Sequence, residues 1–235
     1  MTQENNFDAL PVFDDQGRNL VDPADSWGRK TAYITCLQAK AITTYVGRGT
    51  GLALDLGCGY GRMSGTLREL GWQVTGLDVS KRVLMAASRM APAGTWCVGS
   101  LPHLPFADRT FDLVLAQNLL RVLHLNQVLN VADGIPRVVK PGGRLVVVDN
   151  IRQGHRDFVP ESVVIEKFAR NGFGLVSRTA IRAARWWGIY LVRYGVIPPR
   201  AFDRLAEHEL SRMASRRGSP RWQYHNVLFV FERFT

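Results

Sequence analysis

Leu52-Ala53-Leu54-Asp55-Leu56-Gly57-Cys58-Gly59-Tyr60-Gly61-Arg62 runs a short apolar strand directly into a turn with a glycine at every second position. Glycine lacks a Cβ, so Gly57, Gly59 and Gly61 can take positive φ and let main-chain N–H groups approach a bound molecule closely. The apolar pattern resumes near Met63 and continues to Leu70 with helical spacing. Strand, glycine turn and helix form the first half of a nucleotide-binding βαβ unit. A second strand, Trp72-Gln73-Val74-Thr75-Gly76-Leu77-Asp78, ends in a carboxylate about 20 residues after the turn, the separation at which an acid meets ribose hydroxyls in such folds. Asp78 is therefore predicted to accept both hydroxyls of a ribose.

The dinucleotide fingerprint is G-x-G-x-x-G, and here the third glycine arrives one residue early. Asp55 also argues against a dinucleotide, because a carboxylate beside a pyrophosphate repels it, whereas one facing a cationic amino-acid headgroup does not. The stretch resembles the class I S-adenosylmethionine-dependent methyltransferases, whose first motif reads acid-x-G-x-G-x-G. Two further segments carry the same resemblance. Leu101-Pro102-His103-Leu104-Pro105-Phe106 through Phe111-Asp112-Leu113-Val114 is similar to the family's Leu-Pro-Phe segment before the fourth strand, and Lys140-Pro141-Gly142-Gly143 to the turn entering the fifth. The order and spacing of these segments fit from Leu52 to Asn150.

The resemblance implies an α/β fold: a Rossmann-like, doubly wound seven-stranded sheet, mostly parallel, with an antiparallel last strand inserted beside the sixth. It implies S-adenosylmethionine as cofactor. Gly57, Gly59 and Gly61 would line its methionine half, Asp55 would orient the turn and meet the ammonium, and Arg62 would meet the carboxylate or lie solvated on its helix. Asp78 would hold the ribose, or else cap the next helix. Val79 and Leu101 would form the apolar faces of an adenine slot, and Gln117 would cover the sulfonium end. Many relatives carry an acid after the third strand for the adenine amino group. This chain has Gly99-Ser100-Leu101 there, leaving Ser100 a weaker hydrogen bond.

The 235 residues, 46% hydrophobic and 21% charged, suffice for one well-buried α/β domain but not for two of full size. Cys36, Cys58 and Cys97 show no metal-ligand spacing and cannot all pair, so a reducing cytoplasm is expected and no metal site is. No stretch approaches the roughly 18 apolar residues of a membrane span, and a soluble chain is expected. The net charge of +10 is unevenly placed: residues 1–26 are acidic, while ten arginines between Arg178 and Arg221 face only Asp203, Glu207 and Glu209.

Residues 1–26 read as a flexible acidic arm, and 27–235 as a single domain. Helical character begins at Trp27 and ends near Val46. Strands fall near Leu52–Leu56, Val74–Asp78, Thr95–Val98, Asp112–Ala116, Leu145–Asp149, Phe173–Arg178 and Tyr224–Phe231, alternating with helices through Pro160–Asn171. The last two strands are separated by far more than the usual 2 to 6 residues of such connections. Residues 179–222 are read as a helical cap insertion over the cleft, rich in arginine and carrying Trp186, Trp187 and Tyr190, which face a hydrophobic substrate or pack in a core.

Methyl transfer is an in-line displacement that depends on holding an acceptor close and aligned. An oxygen acceptor needs a base of near-neutral pKa, for which His124 and His103 are the candidates, with His155 a third. Trp27 and Tyr33 on the first helix either close the site or simply pack. The expected acceptor is a small or lipid-like molecule, for which the basic cap allows an anion or contact with an anionic membrane surface. Gln117-Asn118-Leu119-Leu120 lacks the Asn/Asp-Pro-Pro-aromatic motif of enzymes that methylate nucleobase amines, and no RNA-binding module is appended. An aminopropyl transferase would need clustered acids where this chain is basic. The rival from another class is a non-catalytic module that binds nucleic acid or a protein through the Arg-rich cap. Oligomeric state is left open.

Overall fold

The computed structural model describes residues 22, 24–119, 134–152, 160–183, 187–215 and 224–234. Helix α1 (Arg29–Val46) leads into β1 (Leu52–Leu56), α2 (Arg62–Glu69), β2 (Gln73–Asp78), α3 (Lys81–Met90), β3 (Thr95–Val98) and β4 (Phe111–Gln117). A helical turn at 134–138 precedes β5 (Val139–Arg152), α4 (Glu161–Arg170) and β6 (Phe173–Ala183). The chain closes with α5 (Gly188–Arg193), a 3-10 turn (Pro199–Ala201), α6 (Phe202–Ser215) and β7 (Tyr224–Arg233).

The seven strands form one sheet in the order β3-β2-β1-β4-β5-β7-β6. Strand pairs from β3 to β5 are parallel, and β7 runs antiparallel between β5 and β6. This is the doubly wound sheet with an inserted antiparallel last strand that the resemblance implied. Period-2 patterning sorts the side chains to two apolar layers. Leu54, Val114, Val147 and Phe229 face the layer completed by Val164 and Phe168 of α4. Ala53, Leu115, Val148 and Leu228 face the other, completed by Ala41 and Ile42 of α1 and Met63 and Leu67 of α2.

The insertion before β7 differs from the expected cap in extent and place. Strand β6 continues to Ala183, with Thr179 to Ala183 paired along β7, so the first residues assigned to the insertion are sheet. Its helices pack on α1: Ile189 and Val192 of α5 and Phe202 and Ala206 of α6 bury against Tyr33, Ile34 and Leu37. Lys40 on α1 clamps the outside of α6 through Asp203 at 2.6 Å and Glu207 at 2.8 Å. The insertion thus thickens the face of the sheet that α1 covers. The proposed acidic arm lies, apart from its last residues, outside the described residues.

Candidate active site

Strand order reverses between β1 and β4, and ligands of open α/β sheets bind in the crevice beyond the carboxyl ends of such strands. The glycine turn follows β1 there. Gly57, Gly59 and Gly61 have φ of 70°, 53° and 74°, the left-handed conformation that excludes most side chains. Their surroundings differ. A Cβ on Gly61 would come within 2.4 Å of the Trp96 ring, and one on Gly57 would come 3.0 Å from Leu119 Cδ1, whereas one on Gly59 would meet nothing within 4 Å. Gly57 and Gly61 serve the packing of the turn, and Gly59 faces open space.

One expectation about this turn is corrected. Its amides are consumed internally: Gly57 and Cys58 N–H donate to Leu77 O at 2.8 and 3.0 Å, Gly61 N–H to Cys58 O at 2.9 Å, and Gly59 N–H to Asp78 Oδ2 at 2.9 Å. The glycines therefore provide room for a ligand rather than these N–H groups. A loop beside a buried parallel strand must satisfy its own polar atoms, and the end of β2 is the nearest acceptor.

Asp78 is fixed from two sides, because its Oδ1 accepts the Ser80 N–H at 3.0 Å while Oδ2 holds Gly59. Ser80 caps α3 by accepting the Val83 N–H at 3.3 Å, so the capping role falls to Ser80 and Asp78 remains at the crevice. A carboxylate has about four lone-pair sites, and two remain for ligand hydroxyls. Val79, beside it, is 41% exposed. Across β3, Leu101 packs partly against the core and Ser100 is exposed.

Asp55 lies beneath the turn. It is 2% exposed and accepts the Ser64 hydroxyl at 2.6 Å, which ties the end of β1 to the first turn of α2. Burial pushes its carboxyl up to about 6, opposed by the Ser64 bond and by the Arg62 charge. Arg62 does not stand solvated on its helix: its guanidinium donates to Thr35 Oγ1 at 2.6 Å, joining α2 to α1, and burial lowers its pKa while Asp55 opposes this.

Past β4, Gln117 enters a head-to-tail series of amides. Gln117 Nε2 donates to Gln38 Oε1 at 2.5 Å, Gln38 Nε2 to Asn226 Oδ1 at 3.3 Å, and Asn226 Nδ2 to Asn150 Oδ1 at 3.1 Å. These come from β4, α1, β7 and β5, and Gln38 and Asn226 are 2% and 4% exposed. Asn118 adopts φ 53°, and its buried Oδ1 has no hydrogen-bond partner among the described residues. An orphaned buried acceptor at the crevice suits a ligand donor.

Further along α1, the Tyr33 hydroxyl donates to Glu209 of α6 at 2.5 Å. Both residues are buried, and Arg182 and Arg212 lie near enough to favour the carboxylate, yet burial dominates and raises Glu209. Tyr33 therefore packs and anchors α6 rather than closing the site. Trp27 and Trp187 are exposed at 74% and 72%, outside any core. His103 is exposed on the loop after β3. His124, His155 and Trp186 lie outside the described residues. Among the described residues there is no metal-holding cluster of His, Cys, Asp or Glu.

Sequence reading missed Thr35, Gln38, Ser64, Asn150 and Asn226. The available signal was a polar residue interrupting an apolar run, as Gln38 does in α1 and Asn226 at the start of β7.

Residues 54–147 match the family described as "Methyltransferase domain". An uncharacterised methyltransferase of Synechocystis is 36% identical over 107 residues, covering 46% of this chain and 50% of that protein. A demethylmenaquinone methyltransferase of Tropheryma whipplei is 36% identical over 99 residues, covering 41% and 40%. The chain thus spans half or less of the length of these curated relatives. Among solved structures, geranyl diphosphate C-methyltransferase from Streptomyces coelicolor, crystallised with S-adenosyl-L-homocysteine, superposes with a TM-score of 0.65 at 16% identity, covering 91% of this chain and 86% of that one, a likeness of fold. With the strand order, the glycine turn and Asp78 at the end of β2, residues 54–147 form a methyltransferase domain on a sheet with the fold of the class I S-adenosylmethionine-dependent methyltransferases.

Proposed function

We propose that the protein transfers a methyl group from S-adenosylmethionine to a small, lipid-like acceptor. The observation that carries this reading is the pairing of Asp78, immobilised by two backbone N–H groups, with the open space above Gly59. When bound, S-adenosylmethionine supplies an electrophilic methyl group on a cationic sulfur.

In this reading the free lone pairs of Asp78 hold the ribose hydroxyls. Val79 and Leu101 cover the adenine faces, and Ser100 lies at its edge. Asp55 and Arg62 act from beneath, fixing the turn to α2 and α1, and their charges lie on the methionine side. Gln117 donates one N–H to Gln38, so its carbonyl oxygen is the group left for the sulfonium end. Such positioning supplies much of the rate of a displacement that needs no enzyme nucleophile. Cys58 fits that requirement, because burial raises its thiol and keeps it neutral. The demethylmenaquinone methyltransferase among the relatives supports a lipid-like acceptor.

Calorimetric titration with S-adenosylmethionine and S-adenosylhomocysteine tests the reading, with Asp78→Ala alongside. Loss of two charge-assisted hydrogen bonds is expected to weaken binding by about 2–4 kcal/mol, roughly 30- to 1,000-fold. Absence of binding to the unmodified protein would refute the proposal. Salt-sensitive nucleic-acid binding in its place would favour a non-catalytic module acting through the arginines.

A further inference from the structure

Helix α5 carries aromatic side chains on its outer side. Ile189 and Val192 point inward and bury against α1 and α6. Trp187, Tyr190 and Tyr194, spaced i, i+3 and i+7, share the opposite side and are 72%, 57% and 70% exposed. Val196 is 67% exposed, and Trp27 74%. Contacts bring Trp27 to the end of α5. The Arg29 guanidinium lies 5.4 Å over the Trp27 ring and also borders Gly195. Arg193 lies 5.7 Å over the Tyr194 ring and donates to Ala24 O at 2.8 Å, three residues before Trp27.

Single exposed apolar residues are ordinary, but a contiguous aromatic patch marks an interaction site. We propose that this patch docks the protein on the surface of an anionic lipid bilayer. The choice of occupant rests on chemistry. Trp and Tyr combine an apolar body with a polar tip, the combination that settles at the headgroup level of a membrane. Arg29 and Arg193 are interleaved with them, and Arg200 stands exposed on the following turn. Among the described residues, Asp22 beside the patch is already bonded to Lys30 at 3.0 Å and lies 3.5 Å from Arg193. The surface is therefore aromatic and cationic, complementary to anionic headgroups, and the chain's net charge of +10 acts in the same direction. Among the described residues no helix is long and apolar enough to cross a membrane, so this contact is peripheral. If the acceptor is lipid-like, as proposed above, the bilayer is its source, but the docking itself does not depend on that reading.

The test is co-sedimentation of the full chain with vesicles of phosphatidylcholine alone and of phosphatidylcholine with phosphatidylglycerol. The variant is the triple substitution Trp187→Ala, Tyr190→Ala, Tyr194→Ala. All three residues are exposed, so the fold is expected to persist, and circular dichroism with cofactor calorimetry verifies this. The expected result is salt-sensitive binding to the anionic vesicles, weakened about tenfold or more in the variant. Absence of vesicle binding by the unmodified protein, or binding equal in the variant, overturns the proposal. A concentration-dependent dimer abolished by the variant, without vesicle binding, also overturns it and assigns the patch to self-association. Cofactor binding measured on the same samples separates the two proposals: its retention with no vesicle binding removes docking alone, and its absence with vesicle binding removes only the methyltransferase reading.

Discussion

Replacing Asp55 by Asn tests whether a buried charge under the glycine turn costs the fold stability. In the folded chain burial raises this carboxyl from its ordinary 3.8 to about 6. A carboxylate whose folded pKa is raised favours the fold fully below its unfolded pKa. That contribution falls as the pH rises from about 4 through about 6 and is then constant. The shift of about two units corresponds to about 3 kcal/mol in all, of which about 1.4 kcal/mol falls between about pH 5 and about pH 7.5. Asn keeps the acceptor for the Ser64 hydroxyl but cannot ionise, so its stability lacks this component. The baseline difference between the two proteins includes whatever the new amide N–H₂ gains or loses, so the informative quantity is the change in that difference with pH. Urea unfolding of both proteins, ligand-free, at the two pH values is the assay. The variant should gain about 1.4 kcal/mol on the unmodified protein as pH rises, about 3–6 °C in melting temperature for a domain of this size. Parallel pH profiles would refute the reasoning and show that Asp55 is not strained by burial.

The glycine turn yields a paired prediction. Gly61→Ala drives a methyl into the Trp96 ring at positive φ and should destabilise by about 2–4 kcal/mol by thermal melting, while Gly59→Ala meets no atom and should lose only about 1–2 kcal/mol of backbone strain. Calorimetry should nonetheless show Gly59→Ala weakening S-adenosylmethionine at least about tenfold, since the new methyl enters the ligand's space; unchanged affinity would mean that the ligand lies elsewhere. Tyr33→Phe removes the hydrogen bond that holds the Glu209 carboxylate, at a cost of about 1–3 kcal/mol. Because that bond lowers a carboxyl already raised by burial, the loss should be larger at about pH 8 than at about pH 5 in denaturant unfolding, and a pH-independent loss would place the effect in packing.

The positions of the strands were legible because their signals are local, while the sheet order came from the resemblance. Gly57 ends β1 and Gly94 precedes β3, and both strands fall where the apolar runs placed them. Strand β6 outran its expected end because Arg182 reads as polar, yet its backbone is paired opposite Asn226 by a partner strand that arrives only after the insertion. Strand β5 begins early because Lys140-Pro141-Gly142-Gly143 is absorbed into it, with a register shift against β4. The amide series at the end of β4 was poorly legible for a related reason. Gln38 and Asn226 are 188 positions apart and show no mutual periodicity, and what unites them is the packing of α1 against the sheet. Likewise, the motif located the glycine turn but did not reveal that its amides are spent on Leu77 and Asp78, which depends on the register of β1 with β2.

The four-amide series has a direction, and direction is a constraint on sense as well as position. Each amide donates with its nitrogen and accepts with its oxygen, so no member can rotate end for end without placing two donors or two oxygens face to face. Asn150 and Asn226, held on paired positions of β5 and β7, are therefore coupled in sense to Gln117 through Gln38. The strand that arrives last in the chain therefore shares in setting which end of the Gln117 amide is turned toward the crevice.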